Sequence, residues 1–139
     1  MNKLAVAGLA LAGLALAGAA RAQDDGIRVE LNKLEPVGAA CRAYLVFENR
    51  TGTAFDPFKL DPVMFDTDGV IAKRVAVAAG PLPAGKTSVK LFDIDGVSCG
   101  GIRRVLLNSV MACDTGGDSQ PDCTAMTAPS SRTEATFIK

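Results

Sequence analysis

The chain has 139 residues, 48% of them hydrophobic and 22% charged, with 15 basic and 15 acidic side chains, one Tyr and no His or Trp. Balanced, dispersed charge without a basic run excludes an electrostatic grip on nucleic acid or an anionic membrane, since both demand excess positive charge. The missing imidazole removes the commonest general base, the usual orienter of a Ser or Cys nucleophile, and the commonest metal ligand.

The chain begins Met1-Asn2-Lys3, continues as an apolar run from Leu4 to Gly18, and reaches Ala20-Arg21-Ala22. A short positive region, an apolar stretch and a small-x-small site predict a secretory signal peptide over residues 1–22. The run is shorter than the roughly 20 apolar residues a spanning helix needs. No Cys stands at the cut and no Arg pair precedes the run, so the expected route is the general secretory one. The expected location is the periplasm, with no direct membrane insertion after cleavage. Loss of Lys3 and Arg21 leaves the mature chain near a net charge of about −2.

From Ile27 onward the apolar residues alternate with period 2. Ile27, Val29 and Leu31 share one face. Cys41 to Glu48 follows, apolar on both faces near its middle as an interior strand would be, and ends in the turn chemistry of residues 48–53. Phe58–Phe65 and Val70–Ala78 flank Asp66-Thr67-Asp68-Gly69, an Asp-Gly hairpin signal. Gly80-Pro81-Leu82-Pro83-Ala84-Gly85 stops one strand and aims the next, from Val89 to Ile94. Ile102–Cys113 also fits a helical spacing. Gly100-Gly101 before it and the strand-rich surroundings favour strand. Asp114–Arg132 is poor in large apolar residues and reads as loop anchored by Cys123, with Thr133–Ile138 returning as an edge strand. Six to seven short strands predict an all-β antiparallel sandwich. Its domain spans residues 23–113, followed by a disulfide-tethered segment over 114–139.

Tyr44-Leu-Val-Phe-Glu-Asn-Arg-Thr-Gly52, Asp66-Thr-Asp-Gly69 and Leu82-Pro-Ala-Gly-Lys-Thr87 together resemble bacterial immunoglobulin-like domains of the FxLYD and CARDB sort. The resemblance covers about Ile27 to Met111 and implies an immunoglobulin-like sandwich, in domains that are mostly accessory or binding modules. The chain departs from the FxLYD signature at Phe58-Lys59-Leu60-Asp61, which lacks the tyrosine. The segment from Phe92 through Cys113 also resembles small exported proteins of alphaproteobacteria, a resemblance that implies no activity.

Four cysteines, Cys41, Cys99, Cys113 and Cys123, follow the expected cleavage site. They lack the C-x-x-C of thioredoxin-like chemistry and the paired knuckles of a zinc site. Two disulfides are expected, with Cys41–Cys99 plus Cys113–Cys123 favoured and Cys41–Cys113 plus Cys99–Cys123 open. Asp66, Asp68, Asp93 and Asp95 form two D-x-D-G fragments, weak calcium candidates without the downstream glutamate. Met64 and Met111 read as core and, with Met126, are too scattered for a copper site. Asn49-Arg50-Thr51 matches a glycosylation sequon and reads as a strand-end turn. The doublets Lys73-Arg74 and Arg103-Arg104 lie on predicted strands, with one member of each facing outward.

These features favour a non-catalytic periplasmic accessory or protein-binding domain, with no cofactor. Its expected partner is another periplasmic protein or a membrane complex. The expected contact region is the Arg50–Phe58 loop, with Thr53, Asp56 and exposed Phe55 and Phe58, together with the Asp114–Arg132 segment. The alternatives are a metal- or small-ligand-binding module, through calcium at the acidic turns or, less readily, copper, and a thiol oxidoreductase or other enzyme.

Overall fold

The computed structural model describes residues 25–117 and 121–139; the expected signal peptide lies outside them. Among the described residues nine strands form two packed sheets. The first has the order β6(Thr87–Ile94), β2(Ala40–Asn49), β1(Ile27–Val37), β8(Thr127–Ser131). The second has β4(Ile71–Arg74), β3(Phe58–Phe65), β7(Arg104–Cys113), β9(Thr136–Ile138), and β5(Val77–Ala78) also pairs with β3. A one-turn helix, α1(Cys123–Met126), precedes β8.

The alternation read from the sequence places the core. In β2, Cys41, Ala43, Leu45, Phe47 and Asn49 are buried while the residues between them are half-buried. Period 2 thus sends one set to the sheet interface and the other to the outer face. Leu60, Pro62, Met64 and Val105 from the second sheet meet Leu31, Leu45 and Ile94 from the first. Phe47, Phe55 and Phe58 fill one end, with ring centroids 6.3 Å apart for Phe47–Phe58 and 5.9 Å for Phe55–Phe58.

Ile102–Cys113 is strand from Arg104 onward, as favoured over helix, because it pairs along the whole of β3. The Asp66–Gly69 turn forms as expected. Gly69 takes φ +78°, and Asp66 Oδ1 accepts from the amides of Asp68 and Val70 at 2.9 Å each. Val70–Ala78 divides into β4 and β5, because the chain leaves the ladder between Arg74 and Val77.

Two expectations are corrected. The sandwich is mixed rather than antiparallel: β8 runs parallel to β1 and β9 parallel to β7. Part of the segment read as loop is strand β8, despite its weak sequence Thr-Ala-Pro-Ser-Ser. Tertiary pairing with β1 overrides its poor propensity. Thr127 is fully buried and its hydroxyl donates to the Cys123 carbonyl at 2.6 Å. Lys139 Nζ donates to the carbonyls of Thr124, Ala125 and Thr127, which are left free where the short helix ends.

The sulfurs pair Cys41 with Cys99 and Cys113 with Cys123. The first bridge ties interior strand β2 to the 3-10 turn Cys99–Gly101 that leads into β7. The second ties the end of β7 to the helix that launches β8.

Candidate functional site

The expected contact loop is corrected first. Phe55 and Phe58 are 1% and 0% exposed, so neither presents a ring to a partner. Phe55 exchanges backbone hydrogen bonds with Leu82, 3.0 Å from its amide and 2.8 Å to its carbonyl. This folds the loop inward and makes both rings part of the core. Thr53 and Asp56 remain exposed at its rim. Asn49, the sequon asparagine, is 2% exposed and hydrogen-bonded through both ends of its amide.

Of the four candidate calcium acids, Asp68 and Asp95 are exposed while Asp66 and Asp93 are engaged locally. Asp66 caps its own turn. Asp93 takes a bidentate grip from Arg42 at 2.7 and 3.0 Å, which holds its carboxyl below the usual carboxylate range. Among the described residues no three His, Cys, Asp or Glu side chains gather to hold a metal. Asp61 lies mid-strand in β3 and is 3% exposed. Its carboxylate accepts from Arg74 at 2.7 and 2.8 Å and from Asn108 at 2.7 Å. Arg74 foremost, then Asn108, pulls its pKa down to about 2.

Two further expectations change. Met111 is 55% exposed rather than core, because the ladder shifts in β7 turn it outward; Met64 is fully buried. Arg103 and Arg104 are both exposed, since Arg103 precedes the strand and escapes its alternation. Arg104 stacks over the Phe65 ring, 4.5 Å from its centroid.

An open groove of about 440 Å³ lies at one end, between the Thr67 turn, Cys99–Gly100, Lys33 and the 132–135 segment. The Thr133 hydroxyl is committed: its Oγ1 donates to the Ala135 carbonyl and accepts from the Ala135 amide. Of its three cations, Lys33, Arg103 and Arg132, the first and last are paired with Glu35 and Glu30. Among the described residues this groove brings together no nucleophile and base.

The outer face of the first sheet is different. Cross-strand register sets Tyr44 beside Leu91 and Val46 beside Val89. Val89 and Leu91 are 55% and 51% exposed. Around this apolar stripe the charges are paired off: Arg42 with Asp93, Lys33 with Glu35, Arg50 with Glu48, Arg132 with Glu30. The Tyr44 hydroxyl also donates to Glu35, and that bond with the Lys33 contact keeps the Glu35 carboxyl below its ordinary value. Exposed apolar side chains rimmed by paired charges have the apolar centre and polar rim of a protein interface. The sequence signal for it was present as the two-sided apolar middle of β2, but exposure of the outer set depends on nothing packing over that sheet.

These features define a disulfide-stapled β-sandwich with an apolar outer stripe and, among the described residues, no recognisable catalytic constellation. The fold is similar to that of the solved structure of IrmA from Escherichia coli, with 15% sequence identity, a TM-score of 0.58, and coverage of 75% of this chain and 90% of that chain. At that identity the likeness speaks for the fold alone. No protein-family model and no curated protein matches the chain.

Proposed function

We propose that this chain is a non-catalytic, exported protein-binding domain of the periplasm, delivered by the general secretory route and docking a periplasmic or membrane-complex partner through the outer face of its first sheet. The observation that carries the reading is the Tyr44–Val46–Val89–Leu91 stripe, half of it more than 50% exposed. The immunoglobulin-like resemblance and the secretion signal read from the sequence point the same way. The buried loop phenylalanines move the proposed contact from one end of the sandwich to its face.

The test is in-cell crosslinking of the tagged protein in its native host, with mass spectrometry of what is captured. The expected result is a reproducible partner that is lost in the Val89→Asp/Leu91→Asp double variant and retained in Thr53→Ala. Capture unaffected by the double variant defeats the reading.

A further inference from the structure

An edge strand exposes unpaired backbone donors and acceptors, and proteins protect such edges with proline, bulges, brevity or inward-facing charge. Three edges here are protected. β8 carries Pro129, β9 has three residues, and β4 has four residues with a bulge opposite Met64/Phe65. β6 differs. It runs eight residues without proline and pairs with β2 from Glu48 to Cys41 without a register shift. Among the described residues its ladder partner is β2, on one side alone.

Lys90 is the charged residue of β6 that faces inward, and Asp93 on the outer side is held by Arg42. Lys90 lies opposite Leu45, whose side chain is 3% exposed in the core, so alternation turns Lys90 to the inner side, half-buried at the lip of the sandwich. Val89 and Leu91 flank it on the outer side. This arrangement decides which strand fits. If a second copy paired antiparallel through β6, the register mating Val89 with Leu91 would put Lys90 directly opposite Lys90. Moving the centre to Leu91 sets Val89 against Asp93, and moving it to Val89 sets Leu91 against Thr87. In those two registers one apolar residue meets its own copy while the other faces a polar side chain, and like charges opposed across a ladder are destabilising, so no register centred on residues 89–91 both mates Val89 and Leu91 with apolar partners and keeps the lysines apart.

We infer that β6 accepts an extended segment of a different protein as a fifth strand, one with an acidic residue opposite Lys90 between two apolar residues that extend the Tyr44–Leu91 stripe. The proposal rests on the outer-face reading above and specifies its mode. Backbone hydrogen bonds supply adhesion, and alternate side chains supply selection, as in strand addition generally. Lys90 then discourages self-pairing and selects the guest through the same charge.

The probe is a capped, soluble peptide with the core Thr-Val-Glu-Val-Thr, titrated into the oxidised protein with amide hydrogen exchange followed by NMR. Protection is expected at alternate amides of Thr87–Ile94 that do not bond β2. Lys90→Glu is expected to weaken binding roughly tenfold or more, with recovery when the peptide glutamate becomes lysine. Leu91→Asp, at an exposed position, gives the same weakening in a variant whose fold is untouched. Absence of β6 protection at millimolar peptide overturns the proposal, as does equal binding by Lys90→Glu. A β6-paired homodimer in sedimentation also overturns it. If crosslinked capture requires Val89 and Leu91 while β6 amides in the complex stay unprotected, strand addition fails and the outer-face reading survives. If capture ignores both residues, both fall.

Discussion

Asn49 donates from its side-chain amide to the Leu82 carbonyl, 3.1 Å away, joining two loops 33 residues apart in a buried setting. The same Nδ2 reaches the Thr53 carbonyl at 2.8 Å and the Pro83 carbonyl at 3.2 Å. Its Oδ1 accepts from the amide and the hydroxyl of Thr51. One side chain thus closes the end of the sandwich where Phe55 is tucked in. Replacing it removes its bonds to three carbonyls, each of which keeps one other donor, and its acceptor for Thr51, at about 2 kcal/mol. Asn49→Ala is expected to lower the urea midpoint accordingly. Asn49→Asp is expected to be at least as harmful, because an oxygen then faces three carbonyls. Chemical denaturation of both variants checks this.

The Asp61–Arg74 pair predicts a specific acid response. Asp61 has its pKa lowered to about 2 in the folded chain, from an ordinary 3.8. A carboxylate with a depressed folded pKa stabilises above its unfolded value and loses that contribution as pH falls through the folded one. Its stabilisation is therefore complete above pH 3.8 and fades towards pH 2. Arg74→Gln is expected to destabilise by about 1–3 kcal/mol at neutral pH, with the gap from the parent closing near pH 2. Denaturation midpoints across that range test it.

The two disulfides differ in what they restrain. Closing the 58-residue separation of Cys41–Cys99 stabilises by about 4 kcal/mol through the unfolded chain, and the 10-residue separation of Cys113–Cys123 by about 3 kcal/mol. Cys113→Ser/Cys123→Ser is expected to release α1 and β8 first. Hydrogen exchange should rise there while the β2 and β3 amides remain protected. Cys41→Ala/Cys99→Ala should instead lower protection throughout the sandwich.

Gly80 sits where no side chain fits. A Cβ there would lie 2.6 Å from the backbone nitrogen of Phe58 and 3.3 Å from its Cβ. Gly80 and Ala79 also donate to the Phe58 carbonyl at 3.0 and 2.8 Å, so the two segments cannot part cheaply. Gly80→Ala is expected to cost about 1–3 kcal/mol. Gly52→Ala, with open space at its Cβ, serves as the nearly neutral control in the same thermal melt.

Much of this fold was legible because period-2 alternation and turn chemistry are local. Ile27, Val29 and Leu31, or Cys41, Ala43, Leu45 and Phe47, needed only the pleat to place them inside. Asp66 to Gly69 needed only a glycine free to take positive φ. The cysteines outlined two bridges by count and spacing, while their pairing waited on which strands became neighbours. The candidate site was less legible. Phe55 and Phe58 look exposed beside Asp56 and Pro57, and the bridge from Phe55 to Leu82 and the pairing of Phe58 with Cys113 turn them inward. Asp61 resembles the turn acids until β4 brings Arg74 across it.

The sequence by itself determined the strands with strong alternation, the hairpin, and the absence of imidazole chemistry, because each depends on residue type and near neighbours. The tertiary structure alone decided that Thr127–Ser131 becomes a strand parallel to β1, that β6 is left at an edge, and that Lys90 faces inward between two exposed apolar residues. Those outcomes depend on pairings between segments tens of residues apart, where burial and backbone hydrogen bonding outweigh local propensity.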